Sequence, residues 1–187
     1  MVSFNCIGGS SSLEIVLGSA TFETDDKVLS REGTLLFATY TGTTWVGNLV
    51  GVSSARGYKI FFSGEVGAAL TQSGGAAPVE DVELSRGWNW IGHTPFISYG
   101  INSGGVTAVL GIFTVDDQIK TRSGGDASSL TTYDGSSFQG KLFELEPSVG
   151  YEVRVARAVT LRYRCSQVQQ TLFKEGGLPC DCAKCCG

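Results

Sequence analysis

Charge is scarce in this chain: Asp, Glu, Lys and Arg make up 17% of its 187 residues, with a formal net charge of −4. Arg and Lys lie scattered among the acids, so the sequence shows no clustered basic footprint for nucleic acid or for an anionic membrane surface. Long apolar runs are missing too. The longest, Val106 to Val115, falls short of the roughly 20 residues that a membrane helix needs. Met1 to Ser12 has neither the basic start nor the apolar stretch of a secretory signal. Histidine occurs once, at His93, and any Ser-His-Asp or Cys-His centre would have to use it. It follows a Trp-rich segment and precedes Thr94-Pro95, which predicts a histidine in a surface turn. No Gly-x-Ser-x-Gly elbow joins a strand pattern to a helix pattern.

What the chain does contain is β-sheet material. Hydrophobic residues reach 42%, enough for a core, and 26 Gly and ten Phe accompany abundant Ser and Thr. That mixture favours strands joined by tight turns. Apolar and polar residues alternate along Tyr151 to Val155 and Val159 to Tyr163, the period of a strand with one wet face. Tyr58, Ile60 and Phe62 share a face in the same way, as do Trp45, Gly47 and Leu49, and Trp88 points with Trp90.

The strongest signal is an internal duplication. Tyr40-Thr41-Gly42-Thr43-Thr44-Trp45-Val46-Gly47-Asn48-Leu49 lies over Tyr133-Asp134-Gly135-Ser136-Ser137-Phe138-Gln139-Gly140-Lys141-Leu142 at an offset of 93. Gly57-Tyr58 falls over Gly150-Tyr151 at the same offset, and Phe22 to Val28 falls over Phe113 to Ile119 at 91. Arg86 to Gly92 opens the second copy, and Phe4-Asn5-Cys6-Ile7-Gly8 is its expected counterpart. The first copy lacks the lead-in that Pro78 to Ser85 gives the second, as expected for a fragment of a longer secreted chain. The organisation read from this is a clipped first β-repeat over 1–77, a second over 78–166, and a cysteine-rich tail over 167–187 with a faint echo of a third repeat. The fold class is all-β and mainly antiparallel, two pseudo-symmetric units arranged as a sandwich or barrel. Each unit is expected to hold one short helix or helical turn where Asp25-Asp26 or Asp116-Asp117 precedes an apolar stretch, since Asp caps free backbone N–H groups.

Gly87-Trp88-Asn89-Trp90-Ile91, Asp116-Asp117-Gln118-Ile119-Lys120, Phe138-Gln139-Gly140-Lys141-Leu142 and Gly150-Tyr151 together resemble a known repeat. It is the "GWNWI … DD-x-IK … W-x-G-x-L … PG-x-GY" tandem repeat of large surface or secreted proteins of marine algae and bacteria. The resemblance spans about residues 4–165. It implies a modular extracellular protein and brings no catalytic residues with it. Trp45 keeps the repeat's Trp, Phe138 replaces it, and Phe4 and Cys6 stand where two Trp are expected.

Several residues carry chemistry. Tyr40, Trp45, Tyr133 and Phe138 are candidate ligand-binding aromatics, because flat rings stack on the apolar faces of sugars. The competing reading makes Trp-x-Gly-x-Leu core packing, with the Gly admitting the ring. Asp25, Asp26, Asp116 and Asp117 could ligate Ca²⁺, against the reading in which they cap a helix. They lack EF-hand spacing. A hydrolase would pair carboxylates such as Asp116 with Asp117 or Glu144 with Glu146, although adjacent acids seldom hold the needed separation. Cys180, Cys182, Cys185 and Cys186 join Cys6 and Cys165 in an even count that suggests disulfides or cross-links between chains. Thiolate binding of Zn²⁺ is the alternative.

The expectation is therefore a non-catalytic extracellular structural or adhesion module with no resident cofactor. Its partners would be other extracellular proteins or glycans, without nucleic acid and without membrane insertion. A carbohydrate-binding module is the first rival, and a glycan hydrolase the second.

Overall fold

Alternation of apolar and polar residues becomes strand nearly wherever it occurs. A computed structural model describes residues 1–4, 10–18, 20–64, 81–95, 98–102, 112–121 and 129–161. In the first unit the elements are β1 (Val2–Ser3), β2 (Ser10–Ser11), α1 (Leu13–Leu17), β3 (Lys27–Glu32), β4 (Thr34–Tyr40), β5 (Trp45–Gly47), β6 (Val52–Ser53) and β7 (Gly57–Phe61). In the second they are β8 (Val82–Leu84), β9 (Gly87–Gly92), β10 (Tyr99–Gly100), β11 (Gln118–Thr121), β12 (Ser129–Tyr133), β13 (Phe138–Gly140), β14 (Glu144–Leu145), β15 (Gly150–Val155) and β16 (Val159–Leu161).

Both units build one antiparallel sheet of ten strands. It runs β1-β7-β3-β9-β15-β11-β12-β13, with β4 and then β5 added beside β3. Three two-stranded sheets, β2-β6, β10-β14 and β8-β16, accompany it, and among the described residues the sheets do not close into a barrel. Two apolar clusters lie on one face of the large sheet. The first packs Leu13, Val16 and Leu17 of α1 with Val52 onto Val28, Ala38 and Tyr58. The second packs Leu84, Tyr99, Leu145 and Leu161 onto Ile91, Ile119, Tyr151 and Val153. Residues of β3 and β9 that face these clusters are on the same side, because Glu32 pairs with Asn89.

Equivalent residues do equivalent work. Phe22, Tyr40 and Trp45 meet with ring centroids 4.9 to 6.2 Å apart, and Phe113, Tyr133 and Phe138 repeat the cluster at 5.0 to 6.3 Å. The Tyr58 hydroxyl accepts from Ser53 N at 2.7 Å and that of Tyr151 from Glu146 N at 2.6 Å. Ser30 Oγ donates to the Gly57 carbonyl and Thr121 Oγ1 to that of Gly150. The Gly of Trp-x-Gly-x-Leu serves a different purpose from the one expected. A Cβ on Gly47 or Gly140 would lie 2.1 or 2.2 Å from the carbonyl oxygen of Phe37 or Leu130. The glycine admits the neighbouring strand's backbone, not the aromatic ring.

Register narrows one expectation and corrects two. At the paired acids the turn forms and not a helix: Asp25 and Asp116 adopt left-handed φ of 74° and 71°, and β3 and β11 follow at once. Asp tolerates this conformation because its short polar side chain bonds locally. The described helix is α1, where Ser12 Oγ accepts from Ile15 N at the N-cap. The first unit's opening strand is also displaced from the sequence alignment. Val2 and Ser3 pair with Tyr58 and Gly57 as Ile91 and Gly92 pair with Tyr151 and Gly150. Phe4 therefore takes the place of His93, not of a Trp. Both are buried, Phe4 against Tyr58 at 5.4 Å, so His93 belongs to the interior and not to a surface turn.

Contacts across the seam between units are reciprocal. Arg56 bridges to Ile91 and, in the mirrored place, Val149 bridges to Val2. Gly92 N donates to Ala55 O at 3.0 Å, and Ser3 N to Ser148 O at 3.2 Å. Gly57 and Gly150 leave room for the other unit: an added Cβ would come within 2.7 Å of Ile91 O and 2.8 Å of Val2 O respectively. Such mutual contacts are those of a two-fold pair, in which each partner lends the same patch.

Candidate functional site

Strand alternation sends every second side chain of the large sheet away from the two cores. On β3 these are Lys27, Leu29 and Arg31, between buried Val28 and Ser30. Pairing then carries the same face across the molecule. Lys27 lies beside Thr39 and Phe61, and Leu29 beside Phe37 and Lys59. Glu152 lies beside Trp90 and Lys120, and Arg154 beside Trp88 and Gln118. Leu35, Phe37, Val46, Phe61 and Leu130 on this face are 39% to 56% exposed. Exposed apolar residues grouped on one sheet face make it a candidate interaction surface.

At the centre is a charged ladder joining the units. Lys59 Nζ of the first unit donates to Glu152 Oε1 of the second at 2.6 Å, and Lys120 Nζ lies 3.1 Å from Glu152 Oε2. Each lysine also covers an indole: Lys59 sits 4.1 Å from the Trp90 ring centroid and Lys120 4.3 Å from that of Trp88. A cation over an indole face is attracted by the ring quadrupole. Partial burial pushes the Glu152 carboxyl up, but hydrogen bonds from Lys59 and Lys120 outweigh it and hold the group below the usual glutamate range. Sequence reading missed this ladder because its five members come from β7, β9, β11 and β15.

A half-open cleft of about 340 Å³ lies near this ladder at the seam, lined by Arg31, Glu32, Arg56, Asp81, Glu83 and Trp90 among others. Arg56 is ion-paired with Glu32, and Glu83 accepts from Thr160 Oγ1 at 2.9 Å. Its lining is of mixed charge and both units contribute to it.

The residues singled out in the sequence are placed elsewhere. Tyr133 and Phe138 are buried, their rings against Phe113, and the Tyr133 hydroxyl donates to the Gly135 carbonyl at 3.1 Å. Tyr40 and Trp45 are half-buried around Phe22. The four aromatics thus close the ends of the two cores, and those of the second unit offer no open ring to a sugar.

Asp26 and Asp117 are buried and engaged with their own chain. Asp26 accepts from Glu23 N at 2.9 Å, Ser63 N at 2.6 Å and Ser63 Oγ at 2.9 Å. Asp117 accepts from Thr114 N at 2.8 Å, Thr114 Oγ1 at 3.1 Å and Ala156 N at 2.8 Å. Burial pushes the Asp26 carboxyl up, yet the Ser63 and Glu23 hydrogen bonds bring it below the ordinary aspartate value. These carboxylates tie the turn before one strand to the end of another. Asp25 and Asp116 are exposed beside them, and among the described residues no three His, Cys, Asp or Glu gather as a metal site. Glu144 and Glu146 are exposed on and beside β14. Cys6, Cys165, Cys180, Cys182, Cys185 and Cys186 lie outside the described residues. Among described residues no helix is long and apolar enough to cross a membrane.

Compared with known proteins, the chain matches no protein-family model, no curated protein and no solved structure.

Proposed function

We propose that this chain is a non-catalytic extracellular module, a paired β-repeat from a surface, adhesion or matrix protein, acting through its sheet rather than through a reactive centre. The observation that carries this is how the recurring polar side chains are used. Asp26 and Asp117, Ser30 and Thr121, and Tyr58 and Tyr151 are each hydrogen-bonded to the chain's own backbone. What duplication has kept is scaffold. Repetition in the sequence resembling that of large surface proteins points the same way, and the exposed apolar face supplies a surface for partners. The paired acids are poor candidates for general acid–base work, since Asp117 is sealed from substrate by its own turn.

Two measurements test this. An antibody against the chain is expected to label intact, unpermeabilised cells of the source, and the purified protein to leave a polysaccharide panel uncleaved. Labelling that needs permeabilisation would overturn the location. Turnover lost on Asp117→Asn or Glu146→Gln, in variants that still fold, would overturn the non-catalytic reading.

A further inference from the structure

We propose that the open face of the ten-stranded sheet binds a polyanionic polysaccharide, one that carries sulfate or carboxylate groups along its sugar chain. This names a partner for the module just described and rests on its extracellular placement. Five cationic side chains stand on the face: Lys27 and Arg31 of β3, Lys59 of β7, Lys120 of β11 and Arg154 of β15. On the open side of these four strands the described residues include one carboxylate, Glu152, which pairs with Lys59 and Lys120. Arg31 also borders the cleft that holds Glu32, Asp81 and Glu83, which leaves Lys27 and Arg154 as the freest cations. A chain whose formal net charge is −4 therefore gathers cations on one surface, and acids dominate the remainder. Such a separation steers an anionic ligand to that surface and repels it elsewhere.

The apolar part of the face suits a glycan as well. Leu35, Phe61 and Leu130 stand beside the cations in register, Leu35 opposite Arg31, Phe61 opposite Lys27 and Leu130 opposite Lys120. Sugar rings present apolar C–H faces between polar edges, so alternating apolar and cationic side chains meet both. Single-stranded nucleic acid is bound by a basic groove with successive bases stacked on open aromatic rings. Here both indoles of the face lie under lysine ammonium groups, and the two exposed rings, Phe37 and Phe61, are held apart by the intervening β3. Sulfate and carboxylate demand the same cations, so both kinds of polysaccharide belong in the test.

Binding of the full chain to dextran sulfate, alginate and neutral dextran by isothermal titration calorimetry, at low and at high salt, decides the matter. Dextran sulfate or alginate is expected to bind, more weakly as salt rises, and neutral dextran is not. The double variant Lys27→Glu with Arg154→Glu should weaken binding by about 30-fold or more, since each basic residue near an anionic surface contributes about a fivefold factor. Circular dichroism checks that this variant folds, and the milder Lys27→Gln with Arg154→Gln should fall between it and the parent. Absence of binding to both polyanions, or binding unchanged in both double variants, overturns the proposal. Tighter binding of an oligothymidylate than of either polysaccharide overturns it in favour of nucleic acid. Surface labelling of cells without polyanion binding would sink this ligand alone, while labelling confined to permeabilised cells would sink the module reading first.

Discussion

Replacing Asp117 by alanine removes a carboxylate that accepts two backbone N–H groups and one hydroxyl within 3.1 Å. The site is sealed, with Asp117 only 2% exposed, so water does not freely take over. A hydrogen bond to a charged group contributes about 1.5–3 kcal/mol, and a buried donor left without one costs about 1–3 kcal/mol. Thr114 and Ala156 are nearer the surface than Asp117, which permits partial rehydration of their N–H groups. The expected loss is about 3 kcal/mol. With a urea m-value of about 2 kcal/mol/M, the unfolding midpoint falls by about 1.5 M. Asp117→Asn keeps one acceptor oxygen and the shape, and should lose about half as much. Asp26→Ala should match Asp117→Ala, because its three bonds are of the same kind. Equilibrium urea unfolding followed by circular dichroism measures all three, and the parent should unfold at the same midpoint in EDTA as in excess calcium chloride. A midpoint shift below about 0.5 M for Asp117→Ala, or a parent stabilised by calcium, would refute the turn-tying role. The pH dependence has a fixed sign. Asp26 has a folded pKa below its unfolded value, so its contribution is complete above about pH 4 and is lost as pH falls further. Asp26→Asn should flatten that acid limb.

Two further outcomes follow from the geometry. Burial pushes the Tyr58 and Tyr151 hydroxyls up to about 12, against the opposing backbone hydrogen bonds, so ultraviolet titration should show phenolate signal missing until well above pH 10. Their raised folded pKa means stability is intact below about pH 10 and declines as pH rises toward 12; Tyr151→Phe, at a cost of about 1 kcal/mol, should remove part of that decline, and ordinary early titration of all tyrosines would contradict the burial. Gly140→Ala forces a Cβ to within 2.2 Å of Leu130 O and should destabilise by about 2–3 kcal/mol in the same urea assay, whereas a neutral result would mean that β12 and β13 do not approach as described.

Some of the duplication's consequences were legible before any coordinate. The paired motifs predicted that Tyr40 and Tyr133, or Gly47 and Gly140, would occupy matching places, and their ring and backbone contacts do match. Local sequence does not show a partner that lies far along the chain. Asp before an apolar stretch suggests a helix cap, but the partners of Asp26 and Asp117 include Ser63 and Ala156, more than 35 residues onward. His93 looked like a turn residue because Thr94-Pro95 follows it, and only the pairing of β9 with β15 carries it inward. The alignment of Phe4 with a Trp failed for a similar reason: few matching residues remain at the chain's start, so register rests on hydrogen bonds to β7.

By itself the sequence determined strands, turns and their repetition, since those follow from a period of two, from glycine positions and from copied motifs, all properties of nearby residues. Tertiary structure alone decided the seam and the open face. Lys27, Lys59, Lys120, Glu152 and Arg154 are scattered through the chain with no pattern that links them. Hydrogen-bonded register between distant strands puts them on one surface, and no local preference encodes which strand will lie beside which.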